Sequence, residues 1–217
     1  GSAFSAPSKM DDVPDVLFGG GKGAATRITG KTTVTIGSKT TTSGANTTTY
    51  GGTATIYGNV YGGSENGAVT DVDVNLGTTH GNTNIIYGNV FGGGYDTDSS
   101  LAPNGTQAKH APAAGVVNVL LDGAEFDRTN ANNAYMAQIF GCNNKNGTPT
   151  GLVTVNVKRT TGSTKTDSTP IEFRAYDVYA VYGGGNMADY KPNDANDSTL
   201  VVIEGCDLTS IKFVYGG

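Results

Sequence analysis

A short motif, an aliphatic residue followed by an aromatic one and then glycine, recurs six times along the 217 residues and limits the folds open to the chain. The copies are Leu17-Phe18-Gly19, Val60-Tyr61-Gly62, Val90-Phe91-Gly92, Ile139-Phe140-Gly141, Val181-Tyr182-Gly183 and Val214-Tyr215-Gly216. Successive aromatic positions lie 43, 30, 49, 42 and 33 residues apart. Self-similarity at this interval is the mark of a repeat architecture. Two copies also match upstream, as Ile56-Tyr57-Gly58-Asn59-Val60 and Ile86-Tyr87-Gly88-Asn89-Val90, which duplication explains most simply.

Between the motif copies lie segments in which every second residue is aliphatic. They are Val34-Thr35-Ile36, Val72-Asp73-Val74-Asn75-Leu76, Val117-Asn118-Val119-Leu120-Leu121, Val153-Thr154-Val155-Asn156-Val157 and Val201-Val202-Ile203. Alternation with a period of two marks a half-buried strand. Each unit therefore reads as a motif strand, a glycine corner, a loop, an alternating strand and a turn. Propeller blades and helical repeats keep a near-constant length, whereas these units do not. A parallel β-solenoid tolerates the variation, because each coil need only present its short strands in register while insertions bulge from the turns. The expected fold is all-β, a right-handed parallel β-helix of about five coils, with residues 13–217 as one domain. Residues 1–12 are expected to be a tag remnant, Gly1-Ser2, and a flexible segment. Because the last motif copy stands at 214–217, the domain is expected to be cut from a longer protein.

Composition agrees with strands and turns. The chain holds 33 Gly, 30 Thr and 19 Asn, and these three mediocre to poor helix formers argue against a helical bundle or a doubly wound enzyme. The charged residues amount to 15% and leave a net charge of −5, which repels nucleic acid and anionic membranes. No apolar run approaches the length of a membrane span, so direct membrane insertion is not expected.

In a stack, equivalent positions form columns. The aliphatic and aromatic motif residues point to opposite sides of the same strand, so one column faces the core. The aromatic column, Phe18, Tyr61, Phe91, Phe140, Tyr182 and Tyr215, has two readings. It is covered and stacks for stability, or it is an exposed ladder for pyranose rings, in which case Tyr61, Phe91, Phe140, Tyr182 and Tyr215 are the ligand-binding candidates. The glycines after the aromatic are read as left-handed or strained corner positions. A phosphate loop is excluded, because Gly19-Gly20-Gly21-Lys22 is followed by Gly23 and by no helix pattern.

Other constellations point to little chemistry. Asp71-Val72-Asp73-Val74-Asn75 imitates the opening of a calcium loop, but Leu76 and Asn82 stand where glycine and glutamate are required. Asp96 and Asp98 follow a glycine run that does not recur every nine residues, and Asp194 and Asp197 lie in a turn-forming segment. His80 and His110 stand in polar stretches, and Cys142 and Cys206 are read as two buried thiols. Neither a metal nor a cofactor is expected.

The run Val181-Tyr182-Gly183-Gly184-Gly185-Asn186, alternating with Val-x-Val strands, resembles the repeats of large secreted or surface-anchored, adhesin-like proteins of gut bacteria, particularly Bacteroidetes. The resemblance covers the chain from about Val13 and departs from the pattern at Gly141-Cys142-Asn143. It implies a parallel β-helix outside the cell. The expected role is that of a non-catalytic stalk or adhesion surface for a glycan or a host or bacterial surface protein. The alternative is a carbohydrate-active β-helix enzyme, which would gather acids, with a base such as Arg128 or Arg174, around one groove near Asp71 and Asp73.

Overall fold

The computed structural model describes residues 16–23, 25–37, 39–50, 54–77, 85–96, 115–126, 138–147, 149–160, 176–204 and 208–217. Each motif copy forms a short strand: β1 (Leu17–Phe18), β6 (Val60–Tyr61), β9 (Val90–Phe91), β12 (Gln138–Phe140), β14 (Val178–Tyr182) and β16 (Ile211–Tyr215). These six make one parallel sheet in the order β1-β6-β9-β12-β14-β16. The alternating segments form a second parallel sheet, β15 (Thr199–Ile203), β13 (Val153–Arg159), β10 (Val117–Asp122), β7 (Ala68–Gly77) and β2 (Arg27–Ile36), in that order. Both sheets climb one coil at a time, so the fold is a parallel β-solenoid.

Register follows the repeat. Leu17, Val60, Val90, Ile139, Val181 and Val214 pair in sequence across the first sheet, and Val34, Val74, Val119, Val155 and Val201 across the second. The inward columns of the two sheets meet in one elongated core, and the interior coils bury Val72, Val74, Val117, Val119, Val153 and Val155 almost completely. A slip of one residue would turn a whole valine column to solvent, so the pattern fixes the register. Thr32 and Thr199 stand on the outermost strands at the two ends of the neighbouring inward column, Val72, Val117 and Val153. Their hydroxyls donate to the carbonyls of Gly62 (2.8 Å) and Gly216 (2.7 Å), a polar replacement for valine that keeps its own partner.

The motif glycines have a different cause from the one expected. The positive-φ glycines among the described residues are Gly23, Gly37, Gly44, Gly123 and Gly147, none of them the glycine that directly follows a motif aromatic. Gly62, Gly92 and Gly141 are required by close approach. A Cβ at Gly62 would lie 2.6 Å from both Val74 Cγ2 and the carbonyl oxygen of Gly92 in the next coil. Glycine is what allows the two sheets and successive coils to pack this tightly.

Two elements escape the repeat. A third parallel sheet, β11 (Glu125–Phe126), β8 (Ile85–Ile86) and β5 (Thr55–Ile56), lines part of the coil wall. Strands β3 (Lys39–Ser43) and β4 (Asn46–Tyr50) form an antiparallel hairpin inserted after β2, turning at Gly44 with φ of 61°.

Candidate functional site: the aromatic column and its open end

The aromatic residues of the motif stack into one continuous column. Ring centroids are 4.7 Å apart for Phe18 and Tyr61, 4.9 Å for Tyr61 and Phe91, 4.9 Å for Phe91 and Phe140, 4.6 Å for Phe140 and Tyr182, and 4.9 Å for Tyr182 and Tyr215. The last four steps lie within 10° of parallel. The spacing is the rise of one coil, which the backbone ladder imposes on every equivalent side chain.

Burial divides the column. Phe91 is 0% exposed and Tyr61 and Phe140 are each 2% exposed, so these three rings offer no face to a sugar, and their part in an exposed ladder is withdrawn. Tyr95 packs edge-on against Tyr61 at 5.8 Å, and Lys145 lies over Tyr95 at 5.5 Å. The Tyr61 hydroxyl accepts hydrogen bonds from Asn144 Nδ2 (2.8 Å) and Asn59 Nδ2 (3.3 Å). Burial nevertheless pushes its phenol up to about 12, against the lowering effect of both asparagines. Asparagines also tie the coils beneath the column: Asn59 Oδ1 accepts from the Asn89 backbone N–H (2.8 Å) and Asn89 Oδ1 from that of Gln138 (3.0 Å).

At the last coil the column surfaces. Tyr182 is half-buried, Tyr215 is 47% exposed and Phe213 on the same strand is 38% exposed. Around them, Phe213 lies 6.3 Å from Tyr215 and 5.4 Å from Tyr179, and Tyr179 lies 5.6 Å from Tyr176. Five rings thus form a connected apolar surface, and Lys212 Nζ sits over three of them, 5.2 Å from Tyr176, 5.4 Å from Tyr179 and 5.2 Å from Phe213. Sequence reasoning found Tyr182 and Tyr215 but missed Tyr176, Tyr179, Lys212 and Phe213, because these belong to no repeated position. A smaller exposed step, Tyr57 on Tyr87 at 5.4 Å, lies on the wall near the third sheet.

The acids considered for chemistry are held in structural roles. Asp73 Oδ2 pairs with Lys31 Nζ at 2.8 Å and Oδ1 accepts from Asn118 Nδ2 at 3.0 Å. Burial raises the Asp73 carboxyl, but the hydrogen bonds from Lys31 and Asn118 and the Lys31 charge outweigh it and leave the group below its ordinary value. A general acid needs the opposite shift. Asp71 Oδ1 accepts the Val116 N–H at 2.9 Å. Asp194 and Asp197 close their own turn: Asp194 Oδ1 accepts from Asn196 N and Nδ2, both at 2.9 Å, and Asp197 Oδ2 from Asp194 N at 3.2 Å. Cys142 is a buried free thiol whose pKa burial pushes up to about 12. His80, Asp98, His110, Arg128, Arg174 and Cys206 lie outside the described residues. Among the described residues, no group of three or more His, Cys, Asp or Glu side chains is placed to hold a metal ion. Comparison with protein-family models, with curated proteins and with solved structures finds no match to this chain.

Proposed function

We propose that this solenoid is a non-catalytic segment of a bacterial cell-surface protein and that exposed aromatic rings on its side wall form an adhesion surface for glycans. The observation that supports this most is the pair Tyr57 and Tyr87, stacked at 5.4 Å across neighbouring coils on the side wall, with Tyr57 43% exposed. Aromatic faces bind the apolar C–H faces of pyranose rings, and a sheet holds them without the ordering cost that a loop would carry. The stacked coils act as the stalk that carries this pair.

The test is retention of the whole chain on an immobilised polysaccharide array, with Tyr57→Ala and Tyr87→Ala alongside. Both side chains lie outside the aromatic column of Tyr61, Phe91 and Phe140, so their loss leaves that column in place. The reading expects retention by the parent and a marked loss in both variants, with unchanged circular dichroism. Equal retention of all three proteins, no retention of the parent, or cleavage of a polysaccharide by the parent would overturn it.

A further inference from the structure

Strands β3 and β4 belong to neither wall of the solenoid: among the described residues they pair with each other and with no third strand. Of the two turn residues only Gly44 has a positive φ, 61°, which makes the link a type II′ turn. Such a link makes Ser43 and Asn46 a hydrogen-bonded pair, and the antiparallel pattern alternates from there. By that pattern Thr41 and Thr48 bond to each other, while the backbone N–H and C=O groups of Thr40 and Thr42 face away from β4. Exposed edges are normally blunted by proline, by a bulge or by several charges. The strand Lys39–Ser43 has no proline, pairs without a register shift and carries its one charge, Lys39, at its end. It is mostly threonine, which favours extended backbone. Residues 43–47 at the tip are all exposed.

We infer that the open edge of β3 is a contact between copies of this chain, in which two hairpins join across a twofold axis as one continuous antiparallel sheet. Register and charge name the occupant. With the axis at Thr41, Thr40 of one copy stands opposite Thr42 of the other, and each such pair exchanges both of its N–H···O bonds. Every outward backbone group of Thr40 and Thr42 is then used. Lys39 lies opposite Ser43 of the second copy, so the two lysines sit at opposite ends, about 14 Å apart along the strand and beyond the screening length of about 8 Å in physiological salt. A parallel arrangement would set Lys39 beside Lys39. Thr47 on the β4 edge already interacts within the chain, which favours β3 as the edge that pairs. A contact this small is weak in free solution and becomes effective between chains held side by side, as in a surface array. It needs no sugar, so it stands or falls apart from the glycan reading.

Thr40→Cys, Thr41→Cys, Thr42→Cys and Thr48→Cys are each made in the whole chain with Cys142 and Cys206 replaced by serine, and disulfide-linked dimer is followed in a glutathione buffer. Across the proposed axis the two Thr41 Cα atoms are about 4.5 Å apart, within disulfide range, whereas the two Thr40 or the two Thr42 Cα atoms are about 8 Å apart and outside it. Thr41→Cys is expected to form dimer roughly tenfold faster than the other three, after correction for the reactivity of each thiol with a maleimide. Adding Thr42→Pro to Thr41→Cys removes an edge donor that the hairpin itself does not use, and it should abolish the excess while circular dichroism stays unchanged. Equal dimer at all four positions, no dimer at any, a preference for Thr48→Cys, or an excess that survives Thr42→Pro overturns the contact.

Discussion

Replacing Gly92 by alanine tests the packing account of the repeated glycine. The added Cβ would lie 2.7 Å from Val117 Cγ1 and 2.8 Å from Val119 Cγ2, and it would press on the carbonyl oxygen of Gly141 in the next coil. Ordinary contact begins near 3.4 Å. None of these neighbours moves freely. The valines are fully buried, and the peptide that carries the Gly141 carbonyl is held by the Cys142 N–H bond to the Gly184 carbonyl at 3.2 Å. Overpacking of this kind costs about 1–3 kcal/mol, with backbone contact pushing it toward the upper end. The lower entropy of an unfolded chain carrying alanine returns about 0.4–1 kcal/mol. The net loss is about 2 kcal/mol, which lowers the melting temperature of a chain this size by about 4–8 °C. Gly216→Ala is the control, because nothing lies within 4 Å of its Cβ position. Gly92→Asn separates the two explanations of the glycine, since asparagine tolerates left-handed backbone but not lost space. Thermal melting followed by circular dichroism reads all three variants. Equal melting of Gly92→Ala and Gly216→Ala, or rescue by Gly92→Asn, would refute the steric argument.

The faces of β13 make a second contrast: Val155→Asp places a charge in the fully buried core and should cost more than about 4 kcal/mol. Asn156→Asp, on the outer face where Asn156 Nδ2 donates to Glu204 Oε1 at 3.2 Å, replaces that donor by a carboxylate and should cost about 1–3 kcal/mol, and equal losses in denaturant titration would reverse the assigned faces. Tyr61 is predicted to remain protonated when unfolded tyrosines, near 10, have already ionised. Its raised folded value means that its contribution to stability is complete below pH 10 and is lost as the pH rises toward about 12. Tyr61→Phe should flatten that decline in pH-dependent unfolding, while costing about 1–3 kcal/mol at neutral pH by leaving Asn144 Nδ2 without its acceptor. Cys142 should resist iodoacetamide in the native protein and react on unfolding, as peptide mass mapping would show; rapid native labelling would contradict its burial.

The architecture was legible because the repeat carries its own register. Once Val60-Tyr61-Gly62 and Val90-Phe91-Gly92 are aligned, the pairing of β6 with β9 follows, and the alternating valines give the second sheet in the same way. The hairpin at Lys39–Tyr50 was not legible, since threonine on nearly every position leaves no apolar alternation to read. The third sheet was half visible: Ile56 and Ile86 stand in matched contexts, but Phe126, which pairs with Ile86 on its other side, follows Gly123 with no trace of the motif. The glycines were seen and misexplained, because steric need for a missing Cβ depends on the neighbouring coil and leaves no mark on local sequence. The candidate site was read in part for a similar reason. Tyr182 and Tyr215 stand at repeated positions, whereas Tyr176, Tyr179 and Lys212 gather only where β14 meets β16.

All of this depends on the stacking of distant segments, which one distance measures directly. Thr33 and Leu200, both exposed, occupy one outer column through Asp73, Asn118 and Thr154. Four strand spacings separate them, or about 19 Å along the stack. Spin labels at Thr33→Cys and Leu200→Cys, in a chain with Cys142 and Cys206 replaced by serine, should give a narrow distance distribution centred on about 20–25 Å by pulsed electron resonance. A broad distribution, or a narrow one beyond about 35 Å, would contradict the solenoid.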